Sequence, residues 1–212
     1  SLRHQAKPPV VVFASTIGVF GAPIPKLITD DTPARPNNMS YSAQKMIGEI
    51  LIDDFSRRGW IDGRSLRLPG IVARPPQPNG AISIFMSDLI RELAEGRSYT
   101  CPVSANATAW LMSARCIADN LLHAAGLPKD VVDQRRTWML PVIRTSMGEL
   151  VAGVAELFGA DVLQRIKYDP IEAVEAVFGH QPPLDVPLSI QAGFRHDGSL
   201  KDLILNALKG SD

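Results

Sequence analysis

Apolar residues in this chain follow two spacings, one of strands and one of helices. Val10-Val11-Val12-Phe13-Ala14 is a continuous run rich in β-branched residues, led in by Pro8-Pro9. That is the pattern of a strand covered on both faces, as in parallel sheets. Gly18, Gly21, Pro23 and Pro25 then break regular structure. Residues 21–40 read as one long loop, a length that in compact domains goes with function. From Tyr41 to Arg58 the spacing becomes helical. Met46, Ile47, Ile50, Leu51 and Phe55 fall on one stripe, Ser40 is the expected N-cap and Gly59 the stop. Leu66 to Val72, interrupted by Pro69-Gly70, reads as a second strand and leads into a Pro-rich loop over 74–80. Strand, helix and strand make one βαβ unit, expected to be right-handed.

Further on, the pattern predicts a helix over 82–95 stopped at Gly96 and short strands within 98–112. A helix over 113–125 follows, with Ile117, Leu121 and Leu122 inward, then a strand over 137–142. Ser146 with Glu149 three residues later forms a capping box for a helix ending at Phe158. Helical pieces over 161–166 and 171–177, a Pro182-Pro183 loop and an amphipathic helix over 200–208 close the chain.

The chain has 212 residues, 45% hydrophobic and 21% charged, as in an ordinary globular protein. Lys plus Arg and Asp plus Glu are both 22, so the net charge is zero. The basic excess of a nucleic-acid or membrane-surface binder is absent, and neither partner is expected. No apolar run approaches the roughly 18 residues of a membrane span, and the first residues lack a signal-peptide pattern. A cytoplasmic protein is expected. Cys101 and Cys116 have no metal-ligand spacing and read as reduced thiols. His4, His123, His180 and His196 are scattered, and no metal site is expected.

The chemistry concentrates in Tyr41-Ser42-Ala43-Gln44-Lys45. Residues four apart on a helix share a face. A phenol, with a pKa of about 10, is a poor base at neutral pH. A neighbouring ammonium and the positive end of a helix both favour its ionised form. Such a phenol can take a proton from a substrate alcohol. Ser15 or Thr16, at the end of the first strand, can hold the same oxygen. A lone Tyr-x-x-x-Lys pair is a weak signal, and it gains weight from the order of strand, loop and helix around it.

Val12-Phe13-Ala14-Ser15-Thr16-Ile17-Gly18-Val19-Phe20-Gly21, Tyr41 to Lys45, and Leu66 to Pro75 together resemble the extended short-chain dehydrogenase/reductase superfamily, its NAD-dependent epimerase/dehydratase group. Trp110…Ser113-Ala114-Arg115 and Gly193-Phe194-Arg195 are similar to its D-erythronate dehydrogenase branch. The resemblance implies an α/β fold: the C-terminal part of a Rossmann-like parallel sheet with helices, plus a small α+β substrate-binding subdomain. The expected division is 1–75 and 76–212, with a strand near 137–142 returning to the sheet. It implies an oxidoreductase of carbohydrate metabolism that oxidises a secondary alcohol of a small sugar acid with NAD. Tyr41 would be the proton acceptor, Lys45 its partner on the nicotinamide ribose, and Thr16 the orienting hydroxyl. Ser15, Leu68 and Pro69 would line the cofactor, and Arg74 and Arg115 would grip a substrate carboxylate. A homodimer through the helix at 41–58 is expected. A nucleotide-sugar epimerase or dehydratase, and a non-catalytic self-associating remnant of the fold, are the alternatives.

The same resemblance exposes a gap. Family members carry Gly-x-x-Gly-x-x-Gly on a first βαβ unit, where backbone amides cradle the pyrophosphate. This sequence contains no such motif. Val10–Ala14 would correspond to the fifth strand of the complete sheet, leaving an open strand edge. The expectation is a fragment: one pairing with another copy or one from a mis-started or degraded reading frame, both impaired in cofactor binding, or one whose missing half is a separate chain.

Overall fold

The computed structural model describes residues 7–74 and 82–209. Apart from Arg74, the expected Pro-rich loop lies outside the described residues, as does His4. In chain order the strands are β1 (Val10–Thr16), β2 (Ile28–Thr29), β3 (Asp62–Leu68), β4 (Gly70–Val72), β5 (Tyr99–Cys101), β6 (Thr108–Ser113), β7 (Thr137–Met139), β8 (Ile143–Ser146), β9 (Ile166–Tyr168) and β10 (Leu184–Asp185). The helices are α1 (Ser40–Arg57), α2 (Phe85–Ala94), α3 (Ala114–Gly126), α4 (Lys129–Gln134), α5 (Met147–Phe158), α6 (Glu172–Phe178), α7 (Pro187–Gln191) and α8 (Leu200–Lys209). They form two compact units. The first holds Ser1–Pro69, Ala118–Pro141 and Leu184–Arg195; the second holds Gly70–Ile117, Val142–Pro183 and His196–Asp212.

The first unit is built on a parallel sheet of order β1-β3-β7. β1 and β3 run in register from Val10↔Asp62 to Thr16↔Leu68. Among the described residues β1 has a strand partner on one side only. Helix α1 covers this pair at unusually close range, and two glycines explain how. A Cβ on Gly48 would lie 2.4 Å from the Phe13 ring, and one on Gly63 would lie 2.6 Å from Ile52 and from Ser56. The helix surface that meets the sheet is therefore small and polar: Ser42, Glu49 and Ser56, seven apart, are its buried residues. Ser56 donates to the Ile52 carbonyl at 2.6 Å and accepts from the Gly63 amide at 3.0 Å. The apolar stripe points the other way. Ile47 and Ile50 are each 57% exposed, and Leu51 and Phe55 are exposed beside them.

The cap of α1 differs from the sequence reading. Met39 occupies the N-cap position, no side chain bonds the first amides there, and Ser40 is already helical. Residues 21–39 are tied down rather than loose. β2 pairs with β10 in parallel, the Asp30 carboxylate accepts the Leu188 amide at 2.9 Å, and Arg135 bonds the Asp30 carbonyl and the Asp31 carboxylate. Arg64, 1% exposed, extends through the unit's interior to the Leu127 carbonyl and pairs with Asp62 at 3.1 Å.

The second unit carries a sheet of order β4-β6-β8, parallel then antiparallel, and a parallel pair β5-β9. Leu89, Ile90 and Leu93 of α2, Leu150, Val151 and Val154 of α5, and Leu203 and Ile204 of α8 meet in its core. The capping box at α5 forms: Ser146 Oγ accepts the Glu149 amide at 3.1 Å, and the Glu149 carboxylate accepts the Ser146 amide at 2.7 Å. That backbone bond, followed by the bond from the Ser146 hydroxyl, holds the Glu149 pKa below its ordinary value. Trp110 Nε1 donates to the Pro182 carbonyl at 2.7 Å. Among the described residues Cys101 and Cys116 form no disulfide, and burial pushes the Cys101 pKa up.

Two further expectations are corrected. Residues 161–166 are a 3-10 turn, Ala160–Gln164, followed by strand β9, because residues 166–168 pair with β5. Leu122 is 73% exposed; α3 buries Ile117, Asn120 and Ala124 instead, a helical stripe that leaves Leu122 outside it. Among the described residues no helix is long and apolar enough to cross a membrane.

Candidate active site

The polar face of α1 lies against the C-terminal end of β1, the end where open α/β sheets bind ligands. Lys45 Nζ donates to the Ala14 carbonyl at 2.7 Å. The same ammonium lies 5.6 Å from the Tyr41 ring centroid and 5.2 Å from that of Phe13, both within the range of a cation–π contact. Tyr41 is 52% exposed, so its phenol is open to a ligand while its ring flanks a cation.

Thr16 ends β1. Its Oγ1 accepts the Gly18 amide at 3.1 Å, which leaves the hydroxyl proton free to be donated. A Cβ on Gly18 would lie 3.1 Å from Ser42 Oγ and 3.3 Å from Thr16 Oγ1. The two hydroxyls therefore flank one small nook, and Ser42 Oγ is buried there with no hydrogen-bond partner. Thr16, Tyr41 and Lys45 are thus gathered at one strand end.

Ser15 is placed differently. Its side chain is 2% exposed and its hydroxyl donates to the Glu49 carboxylate. Side chains alternate along a strand, and Phe13 and Ser15 are on the face of β1 that meets Gly48 and Glu49 of α1. Glu49 also receives a two-pronged bond from Arg67, Nε at 3.0 Å and Nη2 at 2.8 Å, and Arg67 is the β3 residue in register with Ser15. Glu49 is 4% exposed, and the guanidinium of Arg67 stacks 5.3 Å from the Phe20 ring centroid. Neither Glu49 nor Arg67 is marked by the sequence reading. The available signal is that Tyr41, Lys45 and Glu49 continue one four-residue spacing. Leu68, half-buried, is in register with Thr16, and buried Pro69 follows it.

Arg74 and Arg115, the two arginines expected to grip a substrate carboxylate, lie in the second unit. Arg74 Nη2 donates to Ser83 Oγ at 2.9 Å, and its backbone is fixed from α2 by Ser87 and Arg91. Arg115 is exposed in the first turn of α3, whose start is clamped by Asp197: Ser113 N and Oγ donate to that carboxylate at 2.9 and 2.5 Å. The Gly193-Phe194-Arg195 segment is structural. Gly193 has φ +99°, and a Cβ there would lie 2.7 Å from His123, whose ring packs edge-on against Phe194. Among the described residues no group of three or more His, Cys, Asp or Glu is placed to hold a metal ion.

Comparison with known proteins gives the family and the fold. The model of the NAD dependent epimerase/dehydratase family matches residues 1–125. A D-erythronate dehydrogenase of Cupriavidus necator is 35% identical over 204 residues, covering 96% of this chain and 62% of that protein. One from Haemophilus influenzae is 32% identical over 194 residues, covering 91% and 61%. The chain therefore spans about three-fifths of the length of these curated relatives. The crystal structure of a nucleoside-diphosphate-sugar epimerase from Agrobacterium tumefaciens superposes with a TM-score of 0.87 at 34% identity, over 96% of this chain and 61% of that one. An L-threonine dehydrogenase from Cupriavidus necator superposes at 0.81 with 20% identity, over 95% and 65%, a likeness of fold.

Proposed function

The chain belongs to the NAD-dependent epimerase/dehydratase family, and from that premise we propose that it is the catalytic and substrate-binding portion of an oxidoreductase acting on a secondary alcohol of a small sugar acid, D-erythronate first. The observation that carries the reading is the Lys45 ammonium, bonded to Ala14 near the end of β1, where Thr16 is the last residue, and flanking the ring of a half-exposed Tyr41. The names of the two curated relatives support the substrate class.

Tyr41 accepts the hydroxyl proton, Thr16 donates a hydrogen bond to the same oxygen, and Lys45 supplies positive charge beside the phenol. NAD, when bound, supplies the hydride acceptor for the carbinol hydrogen. The residues present fit its nicotinamide-ribose end: Lys45 keeps donors beyond the one given to Ala14, and Leu68 is in register with Thr16, with Pro69 following it. Its pyrophosphate end has no Gly-rich turn in this sequence, so tight binding by this chain is not expected. Arg74 and Arg115 are the candidates for the substrate carboxylate.

The test is NADH formation with D-erythronate, erythritol and a nucleotide-sugar panel, alongside calorimetric titration with NAD. Turnover of the acid alone supports the proposal. Turnover or epimerisation of a nucleotide sugar would favour the epimerase reading, in line with the name of the Agrobacterium relative. NAD binding without any turnover of sugar acids overturns the dehydrogenase reading. The outward stripe of α1, Ile47, Ile50, Leu51 and Phe55, favours a homodimer through this helix, and stable dimers without activity would support a self-associating remnant.

A further inference from the structure

Glu49 is a buried carboxylate that the chemistry above does not use. It touches both strands of the catalytic corner, through Ser15 of β1 and Arg67 of β3, which are partners in register. The next pair in that register is Thr16↔Leu68. The preceding β1 residue, Ala14, is held by Lys45 of the same helix. One face of α1 therefore fixes two successive residues of β1, and Thr16 follows them.

A buried ion pair of this kind adds little net stability over a well-packed apolar set. What it adds is a directional lock that an apolar set lacks: three bonds at defined angles, joining α1, β1 and β3. We propose that Glu49, held by Arg67, is a positioning residue that keeps Ser15 turned toward α1 and so sets the rotation of β1 that presents Thr16. This rests on the role given to Thr16 above, and it can fail independently of it.

The Gly18 amide, bonded to Thr16 Oγ1, reports that presentation directly. Amide hydrogen exchange on the chain without cofactor or substrate is the experiment, with Leu66 in β3 as the internal control. The variants are Ser15→Ala, the Glu49→Met/Arg67→Met pair, and Glu49→Gln as the conservative rescue. Exchange at Gly18 should rise about 10-fold or more in the first two while Leu66 keeps its protection, and melting should shift by less than about 5 °C. Glu49→Gln should hold Gly18 within about 3-fold of the parent, since an amide oxygen still accepts from Ser15 or Arg67. Unchanged Gly18 exchange in Ser15→Ala or in the Met pair overturns the inference. So does joint loss of protection at Gly18 and Leu66, which would make the trio merely structural. An inactive chain still gives this readout, so failure of the dehydrogenase reading and failure of this inference are distinguishable.

Discussion

The Lys45 ammonium donates to the Ala14 carbonyl across 2.7 Å, so helix α1 and the end of β1 share one cation. Removing it should separate chemistry from folding. Tyr41→Phe deletes only a hydroxyl on a half-exposed ring, and its melting temperature should match the parent. Turnover, followed as NADH absorbance, should fall about 10²–10⁴-fold in Tyr41→Phe and comparably in Lys45→Met. Parent-level turnover in Tyr41→Phe would remove it from the chemistry.

The outer stripe of α1 should govern assembly and little else. Ile47 and Ile50 are 57% exposed, so Ile47→Asp/Ile50→Asp should change stability by no more than about 1 kcal/mol. Light scattering after size exclusion should show the parent as a dimer and the variant as a monomer.

The close seat of α1 on β1 should be sensitive to one methyl group. A Cβ at Gly48 would lie 2.4 Å from the Phe13 ring, so Gly48→Ala should cost about 1–3 kcal/mol in urea unfolding. Phe13→Leu in the same chain should recover part of that loss, a coupling that a double-mutant cycle measures.

At α5 the pH dependence has a defined sign. The Glu149 pKa is lowered in the folded chain, first by the bond from the Ser146 amide. A depressed carboxylate contributes stability that is present above its unfolded pKa of about 4.3 and is lost as pH falls through the folded value. Glu149→Gln should therefore flatten the decline of the urea midpoint below pH 4.5 or so, relative to the parent. Equal slopes in the two chains would rule out this contribution.

The parts of the fold legible in sequence were those whose signals are local. The capping box at Ser146 and Glu149 needs only a three-residue spacing, and it forms as read. β1 announces itself by composition, and α1 by its period. What the period cannot say is which side of α1 goes inward. Apolar residues normally face the core, but Gly48 and Gly63 bring the backbone so near the sheet that only small or hydrogen-bonded side chains fit beneath it. The start of β3 was illegible for a related reason: Asp62, Gly63, Arg64 and Ser65 look like a turn until Arg64 finds the Leu127 carbonyl far along the chain. Short α4 and α7 give too few residues for a period to register. At the site, Tyr41 and Lys45 were visible as a pair, whereas Glu49 acquires meaning only when strand pairing brings Ser15 and Arg67 side by side.

Because α1 gives its inner surface to hydroxyls, an ammonium and a carboxylate, the greasy residues on its back are surplus to the needs of the fold beneath. On the proposed roles, mutation could rewrite that back, and any contact made through it, without touching Tyr41 or Lys45. One eighteen-residue rod thus carries its polar and its apolar surfaces on opposite sides, each able to drift without disturbing the other.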